Sequence, residues 1–437
     1  MKIAVIGLGF VGLALAAVLG SKGYHVIGVD SNEKKIAMVK SGTIPFYEPK
    51  LPQIVSKALK RTFTVSSDIK EVVENCNVIF VTVGTPLSPK GKIDLTNIQK
   101  VSKKIGEFLR NTANTPTIVI KSTVIPGTTR DIIKPIIEKS SKKREGRHFN
   151  LLTNPEFLRE GSAIEDTLKP HIIVVGGNDK KEHLKKLYES FYKTKIPYIT
   201  TNSQTAELIK YANNSFLATK ISFINQIANL CESIDGANVD DVAKAIGYDP
   251  RIGNLFLKAG PGYGGSCLPK DLQALIAFSE KIGQKPFLLK GVQKTNTNQV
   301  IRLTNLINGI TGKNKKITIL GLSFKEDSDD IRESVSIKLI KNLLKNKYKI
   351  SVHDPKALEN TREIFGNKIS YAKTISEALR ESYCAIIMTP WGQYKKLKNK
   401  DIALMKNKKV IDTRRILDKS NLKIKYYAVG KGIFKNV

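Results

Sequence analysis

A glycine-rich stretch near the middle of the chain carries a thiol, an ammonium and a carboxylate close together. It has the sequence GPGYGGSCLPKD over residues 260–271. This composition predicts a tight loop as far as Ser266, followed by a helix over 271–283. The dipole of that helix and the cation of Lys270 both favour the thiolate form of Cys267, which predicts a nucleophile. The alternative is a buried turn with an inert cysteine.

Two further pairs of polar side chains are candidate site residues, and the members of each pair are four residues apart. Glu156 and Glu160 follow a predicted strand and would share one face of a helix if that segment is helical. Lys210 and Asn214 lie one turn apart on a predicted long helix, and apolar residues flank the lysine. Acids also favour helix starts and helical lysines usually face solvent, so each of these residues has a structural alternative.

The start of the chain has the pattern of a dinucleotide-binding βαβ unit. An apolar strand, Lys2–Ile6, runs into GLGFVG, and an apolar helix over 13–22 follows. In this pattern Gly7 makes the turn, Gly9 lets backbone approach a pyrophosphate, and Gly12 lets the helix pack on the strand. The positive end of the helix then faces the phosphates, which predicts a dinucleotide site.

Polar residues at the ends of later strands extend this predicted site. Asp30 ends the second predicted strand, where a carboxylate accepts hydrogen bonds from ribose hydroxyls and repels a 2′-phosphate. It predicts NAD rather than NADP, although Lys35 weakens that argument slightly. Thr85 and Thr123 follow two further strands and are predicted to line the nicotinamide-ribose side. Alternatively, each threonine hydroxyl only forms hydrogen bonds with backbone groups of the loops.

Strands alternate with helices at both ends of the chain, and helices alone fill its middle. The pattern predicts an α/β fold class with two Rossmann-like domains, joined by a helical central domain with one long helix, Ser203–Ile234. The predicted domains are residues 1–200, 201–298 and 299–437, which suits a chain of 437 residues.

The second α/β half lacks the dinucleotide fingerprint. After its first predicted strand it has GLSFK in place of GxGxxG, and it carries Lys325 and Arg332 shortly afterwards. These cations predict a different phosphate ligand, or contact with the far edge of the cofactor.

The composition is that of a globular protein with a net charge of +33. The charge suggests nucleic acid or a membrane surface as a partner. However, the densest cluster, residues 139–147, has no interleaved aromatic residues. We therefore predict no nucleic-acid partner and no membrane partner, but an anionic small substrate. The four scattered cysteines and the absence of a signal peptide predict a cytoplasmic location and no metal site.

Eight segments occur along the chain in the order GLGFVG, VGTP, KSTV, NPEFLREG, TAELIKYANNSFLATKISFINQIA, DPRIG, GPGYGGSCLPKD and GLSFKEDSDDIRES. In this order they resemble the UDP-glucose/GDP-mannose 6-dehydrogenase family over nearly the whole chain. The resemblance implies NAD-dependent, four-electron oxidation of UDP-glucose to UDP-glucuronate through a cysteine thiohemiacetal and thioester. GDP-mannose and UDP-N-acetylhexosamines are the alternative substrates. Ser266 stands where the UDP-N-acetylmannosamine branch typically has His.

The resemblance also implies roles for individual side chains. Cys267 forms the covalent bond, and Lys210 stabilises the oxyanion with Asn214 holding the same oxygen or a water. Asp271 takes or relays protons. Glu156 acts as acid or base in thioester hydrolysis, and Thr123 lies beside it.

Further residues match the family's contacts with its two ligands. The predicted cofactor contacts are Gly7, Gly9, Val11, Gly12, Asp30, Lys35, Thr85, Thr123, Glu160, Lys270 and Arg332. The predicted substrate contacts are Glu156, Phe157, Leu158, Arg159, Glu160, Lys210, Asn214, Arg251, Phe256, Leu257, Lys258, Ala259, Gly260, Gly264 and Lys325.

The resemblance and the long apolar helix together predict a homodimer through the central helix, in which Arg251 serves the partner's sugar site. The chain departs from the family at Pro170 and His171, where Asp-Arg is common, and this puts in doubt a structural contact beneath the Glu156 loop.

Two other functions stay open at this point. One is a two-electron hydroxyacid dehydrogenase, which would produce one NADH per substrate rather than two. The other is a basic binding protein with a Rossmann scaffold, whose binding to nucleic acid would weaken with salt.

Overall fold

A computed structural model describes residues 1–88, 91–192, 194–312 and 315–432 of the chain. The chain forms two compact units, residues 1–213 and 214–437. Among the described residues, no helix is long and apolar enough to cross a membrane.

The first unit is built on a mostly parallel sheet of eight described strands. They are β1 (Lys2–Ile6), β2 (His25–Val29), β3 (Phe63–Ser66), β4 (Val78–Val81), β5 (Thr117–Ile120), β6 (Asn150–Thr153), β7 (Ile173–Gly176) and β8 (Tyr198–Thr201). Their order is β3-β2-β1-β4-β5-β6-β7-β8, and only the β6–β7 pair is antiparallel. Apolar cores lie on both faces, which explains the continuous apolar runs in the strands.

Helices connect these strands. They are α1 (Phe10–Ser21), α2 (Glu33–Lys40), α3 (Leu51–Leu59), α4 (Ile69–Asn75), α5 (Thr96–Leu109), α6 (Lys134–Ser141), α7 (Ala163–Leu168) and α8 (His183–Phe191), with a π-helical turn at Thr129–Ile133. Helix α1 begins three residues before the predicted start at 13, because Gly9 already serves as its N-cap. The GLGFVG segment therefore forms both the turn and the start of helix α1.

The middle of the chain is helical, as predicted. It holds α9 (Ser203–Cys231), α10 (Val239–Gly247), α11 (Leu268–Lys281) and α12 (Phe287–Thr311). Helix α11 begins before the predicted residue 271, because Pro269 lies in its first turn, where the missing N–H breaks no helical hydrogen bond. Helix α12 was not predicted as a separate element. Its first half lies in the predicted helical segment 201–298, and the predicted boundary after residue 298 lies inside it. The three-domain division stays a prediction.

The second unit contains a parallel sheet of six described strands in the order β11-β10-β9-β12-β13-β14. The strands are β9 (Lys316–Leu320), β10 (Lys349–His353), β11 (Ser370–Tyr371), β12 (Cys384–Ile387), β13 (Lys409–Asp412) and β14 (Lys425–Ala428). The helices beside them are α13 (Val335–Lys345), α14 (Leu358–Phe365), α15 (Ile375–Leu379) and α16 (Asn399–Ile402). The same strand order occurs at β3-β2-β1-β4-β5-β6, so both sheets have the Rossmann topology and the predicted fold class is confirmed.

Candidate active site

The GLGFVG turn has room for a phosphate group at one glycine and none at another. A Cβ atom on Gly9 would meet nothing within 4 Å, and Gly9 caps α1 without a side-chain hydrogen bond. A Cβ on Gly12 would lie 1.9 Å from the carbonyl oxygen of Gly7 and 2.5 Å from Thr82 Oγ1. Gly12 therefore closes the contact between helix and turn, while Gly9 leaves helix N–H groups open to a ligand. The half-buried Val11 lies between them.

Asp30 fixes the same turn from the end of β2. Its Oδ2 accepts hydrogen bonds from Leu8 N at 2.8 Å and from Lys35 Nζ at 2.7 Å, and its Oδ1 accepts one from Asn32 N at 3.0 Å. Burial opposes ionisation, but these hydrogen bonds outweigh it and hold the pKa of Asp30 below its usual value. The structure thus brings together the predicted residues Asp30 and Lys35.

Two predicted threonines meet at the carboxyl ends of β4 and β5. Thr85 Oγ1 donates a hydrogen bond to the carbonyl oxygen of Thr123 at 2.7 Å, and Thr85 is buried. This bond ties together two loops at the edge where Rossmann sheets bind ligands. The side chains at this edge of the first sheet are therefore compatible with a dinucleotide, and their individual ligand contacts stay predictions.

A buried ion pair joins the loop after β6 to helix α9. Lys210 Nζ lies 3.1 Å from Glu156 Oε1, and both side chains are less than a tenth exposed. Glu156 Oε2 also accepts a hydrogen bond from Leu158 N at 2.5 Å. Residues 154–159 are not helical, so Glu156 and Glu160 do not share a helix face as the sequence analysis considered. The Leu158 amide instead holds the Glu156 carboxylate within its own turn.

The aromatic ring of Phe157 contacts this ion pair. Lys210 Nζ lies 5.3 Å from the centroid of the ring, which is a cation–π distance. On its other side the ring meets the imidazole of His171 edge-on, at 5.5 Å between centroids. His171, which departs from the family pattern, thus supports the loop that carries Glu156.

Lys121 is a buried residue of this region that was not among the predicted site residues. Its Nζ donates a hydrogen bond to Asn154 Oδ1 at 3.0 Å. Burial lowers the pKa of Lys121 to about 8, with Lys210 adding to the effect and Glu156 opposing it. A lysine directly after the buried strand β5 was the sequence signal that could have identified it.

In the second unit, Cys267 is the N-cap residue of α11 and is partly exposed. The hydroxyl oxygen of Ser266 lies 3.5 Å from its Sγ. Asp271, in the first turn of α11, is buried and accepts hydrogen bonds from Asn214 Nδ2 and Lys270 Nζ, both at 2.6 Å. The structure therefore groups these predicted residues around the start of one helix.

The loop before Cys267 packs its backbone closely. Gly260 N donates a hydrogen bond to Asn225 Oδ1 at 2.8 Å. A Cβ on Gly260 would lie 2.7 Å from the guanidinium of Arg414, and one on Gly264 would lie 2.4 Å from the carbonyl oxygen of Glu333. The sequence analysis did not consider Arg414, whose pKa burial lowers to about 10. Its position identifies it as a support of the predicted substrate loop.

Most of the remaining predicted contact residues are more exposed. The Arg251 side chain is 86% exposed and pairs with Asp249, and Arg332 is 66% exposed and pairs with Asp330. Arg159 pairs with Asp166. The others are the half-buried Leu158, Glu160, Phe256 and Lys325, the exposed Lys258, and the buried Leu257 and Ala259. Their ligand roles stay predictions.

Three family profiles match the chain in order. They describe the NAD binding domain of the UDP-glucose/GDP-mannose dehydrogenase family at residues 1–195, its central domain at 204–298 and its UDP binding domain at 318–419. The chain belongs to the UDP-glucose/GDP-mannose dehydrogenase family. The predicted family, enzyme class and NAD cofactor are thereby confirmed: this family member is an NAD-dependent nucleotide-sugar dehydrogenase with a UDP binding domain.

Comparisons with individual proteins agree with the profiles. A UDP-glucose 6-dehydrogenase of Rickettsia felis is 40% identical over 442 residues, covering 98% of this chain and 96% of the relative. The structure of a UDP-glucose dehydrogenase from Pyrobaculum islandicum matches with a TM-score of 0.91 at 33% identity, over 98% of both chains. A UDP-D-ManNAc dehydrogenase from Pyrococcus horikoshii matches with a TM-score of 0.85 at 26% identity, over 99% of this chain and 100% of that one.

Proposed function

We propose that this dehydrogenase oxidises UDP-glucose to UDP-glucuronate, with Cys267 as the covalent nucleophile. The observation that carries the proposal is the placement of a partly exposed thiol at the N-cap of α11, with the hydrogen-bonded Asp271 in the next turn. The names of the Rickettsia felis and Pyrobaculum islandicum relatives support UDP-glucose as the substrate. Ser266, in the position before the thiol, supports the same substrate.

The reaction removes four electrons from C6 of the glucose in two steps. NAD, when bound, accepts one hydride in each oxidation, so two NAD are reduced. In the first oxidation the C6 alcohol also releases a proton and becomes an aldehyde. Cys267 Sγ then adds to the aldehyde carbon, and the oxygen takes up a proton to give a thiohemiacetal.

The second oxidation converts the thiohemiacetal, with loss of its hydroxyl proton, to a thioester. Water adds to the thioester carbon, the C–S bond breaks, and the carboxylate and the Cys267 thiol are released. Glu156 is proposed to take the proton of this water. Lys210 is proposed to stabilise the negative oxygen in each step, with Asn214 holding that oxygen or a water and Asp271 relaying protons.

An assay of NAD reduction tests the substrate and the covalent step together. We expect two NADH per UDP-glucose and slower reduction with UDP-galactose, UDP-N-acetyl sugars and GDP-mannose. The Cys267→Ala variant should lose net turnover while it still binds NAD and UDP-glucose. Cys231→Ala, which changes a buried thiol at the end of α9, is the matched control and should keep activity. Two NADH per sugar from Cys267→Ala would rule out the covalent route.

A UDP-N-acetylhexosamine is the second candidate substrate. The observation that favours it is the fold match to the Pyrococcus horikoshii UDP-D-ManNAc dehydrogenase. The same assay separates the two candidates, because a larger kcat/KM for UDP-N-acetylmannosamine than for UDP-glucose would select the second one.

We further propose that the enzyme is a homodimer through α9. Phe216, Phe223 and Leu230 recur every seventh residue along this helix, and they are 65%, 50% and 56% exposed. An exposed apolar stripe of this kind is typical of a helix that packs on a second copy. Phe223→Asp should shift the protein from dimer to monomer in analytical ultracentrifugation. The control Lys103→Asp introduces the same charge at an exposed position of α5, outside α9. A dimeric Phe223→Asp variant would contradict the proposal.

A further inference from the structure

Lys121 lies in a buried polar cluster where β5, β6 and α8 meet. Its ammonium nitrogen is 3.0 Å from Asn154 Oδ1, and the Tyr188 hydroxyl donates to the same oxygen at 2.6 Å. The Asn154 side-chain nitrogen donates to the carbonyl oxygen of Val174 at 2.7 Å, and its backbone nitrogen donates to that of Ile120 at 2.8 Å. Asn154 therefore joins three strands and a helix, and Lys121 and Tyr188 fix its orientation.

Asn154 begins the turn that places Glu156. Only Pro155 separates the two residues, and a proline fixes its own φ angle. A rotation of the Asn154 side chain or a shift of its backbone is thus transmitted to Glu156 over a short and stiff connection. The pair between Glu156 and Lys210 depends on that placement, since their atoms meet at 3.1 Å.

Lys121 shares a cavity of the first unit with Glu156. Glu156 and Lys210 are the charged groups that act on it, and Tyr188 faces it from α8. The cavity that Lys121 lines is also bordered by Asp166, His171 and Tyr192. Lys210 thus pairs directly with Glu156 at 3.1 Å, while Lys121 is a second buried ammonium group that interacts with Glu156 electrostatically. A buried cation is costly, and a neutral side chain of similar length would fill the same space at lower cost.

We propose that Lys121 is a positioning residue of the active site: it holds the Asn154–Glu156 turn through the Asn154 amide and places a second positive charge beside Glu156. The inference rests on the proposed function, in which Glu156 acts in thioester hydrolysis. The Lys121 side chain itself is not required to touch the substrate.

The test compares Lys121→Met, Tyr188→Phe and the exposed control Lys103→Met on α5 in the pH profile of kcat with UDP-glucose. Lys121→Met should lower kcat about tenfold or more and leave the KM for NAD within about twofold. Removing a cation raises the pKa of the ionisable groups around it. The acidic and the basic limb of the kcat–pH profile should therefore both move to higher pH by about half a unit to one unit.

The two other variants separate orientation from charge. Tyr188→Phe removes one hydrogen bond to Asn154 and no charge, so it should lower kcat about threefold without moving the limbs. Lys103→Met should match the wild type. A Lys121→Met enzyme with unchanged kcat and limbs would overturn the proposal. A folded Lys121→Met enzyme that loses kcat with unmoved limbs would also overturn it, since a purely structural role predicts that result.

Two further measurements keep the test decisive. Intact-mass spectrometry of Lys121→Met should detect a UDP-glucuronyl adduct on the enzyme, because hydrolysis is the step that Glu156 serves. If Lys121→Met does not fold, Tyr188→Phe decides alone, and a wild-type kcat in that variant refutes the route through Asn154. If wild-type enzyme reduces no NAD with any nucleotide sugar, the proposed function fails, which is a different result from any variant effect.

Discussion

The two Rossmann sheets of this enzyme have the same strand order but differ in the turn after their first strand. Gly7 and Gly321 follow β1 and β9 with φ angles of +102° and +98°. The backbone N–H of each glycine donates a hydrogen bond to the carbonyl oxygen of the last residue of the neighbouring strand. The acceptors are Val29 at 2.7 Å and His353 at 2.9 Å. In the first sheet α1 begins right after the turn, whereas in the second the loop 321–334 precedes α13.

The acid after the second strand also occurs in both sheets. Asp30 and Asp354 bind the backbone of the first turn, through Leu8 N and Leu322 N. Asp354 accepts further hydrogen bonds from Ser323 N, Ser323 Oγ, Lys356 N, Ala357 N and Trp391 Nε1. This acid therefore stabilises the first turn in both sheets. The glycines and the adjoining helix distinguish the dinucleotide site from the UDP binding domain.

The largest effect that tests this comparison is expected at Gly12. Gly12→Ala places a methyl group against backbone atoms of Gly7 and should destabilise the protein by about 3 kcal/mol, with loss of NAD binding. Glu326→Ala, at the matching position of the second sheet, changes an exposed residue and should leave the Tm unchanged. Thermal unfolding and calorimetric NAD titration measure both. A stable Gly12→Ala enzyme that binds NAD would show that the close contact between Gly12 and Gly7 is not needed in the first sheet.

Gly9 should show the opposite combination of effects. Gly9→Ala has open space for the methyl group, so folding should be unchanged while the Kd for NAD rises about tenfold or more, because the backbone can no longer approach the pyrophosphate. Ser323→Ala at the matching position should leave the Kd for NAD unaltered. Equal NAD affinity in wild type and Gly9→Ala would show that the pyrophosphate does not lie on this turn.

The two acids allow a further test of moderate size. Asp30→Asn should weaken NAD binding, because the carboxylate is the proposed acceptor for ribose hydroxyls, and Asp354→Asn should lower the Tm and leave NAD binding intact. Since folding lowers the pKa of Asp30, its contribution to stability is present above the usual value of 3.8 and is lost as the pH falls through the folded value. Acid unfolding of Asp30→Asn should therefore depend less on pH in that range.

The smallest effect in this comparison is expected in the pH dependence of stability that Lys121 causes. The counterpart of Lys121 after β13 is the neutral Thr413. Its pKa is lowered from 10.5 to about 8. Between these values the unfolded chain binds more protons, so stability should rise with pH through this window. Wild-type Tm should gain a few degrees, about 2–4 °C per kcal/mol, relative to Lys121→Met between pH 8 and 10. If the Tm of both proteins changes equally with pH, Lys121 does not contribute to the pH dependence of stability.

The sequence was sufficient for the fold class and for the grouping of several site residues. Periodicity and the glycine pattern identify β1, α1 and β2, because these elements are local in sequence. The order of strands and the pairing of Asn214 with Asp271 are long-range features that no local pattern encodes. Helix α12 was not predicted as a separate element because residues 287–311 carry many polar side chains and its start has no capping signal.

The site was harder to predict where it depends on burial. Lys121 and Arg414 have charged side chains that a sequence pattern assigns to solvent by default. The buried Lys121 and the half-buried Arg414 are held by hydrogen bonds to partners distant in sequence, Asn154 and the carbonyl oxygen of Met388. By contrast, the sequence predicts Cys267 as a candidate nucleophile, because the glycines, Lys270 and Asp271 that surround it are close in sequence.

The four cysteines of the chain differ sharply in accessibility, which makes selective chemical labelling feasible. Cys76, Cys231 and Cys384 are buried, and burial raises the pKa of Cys76 to about 11 and that of Cys384 to about 12. An alkylating reagent such as iodoacetamide should therefore react with Cys267 while the protein stays folded. A fluorophore or crosslinker could then be attached at the start of α11 without engineering away the other thiols.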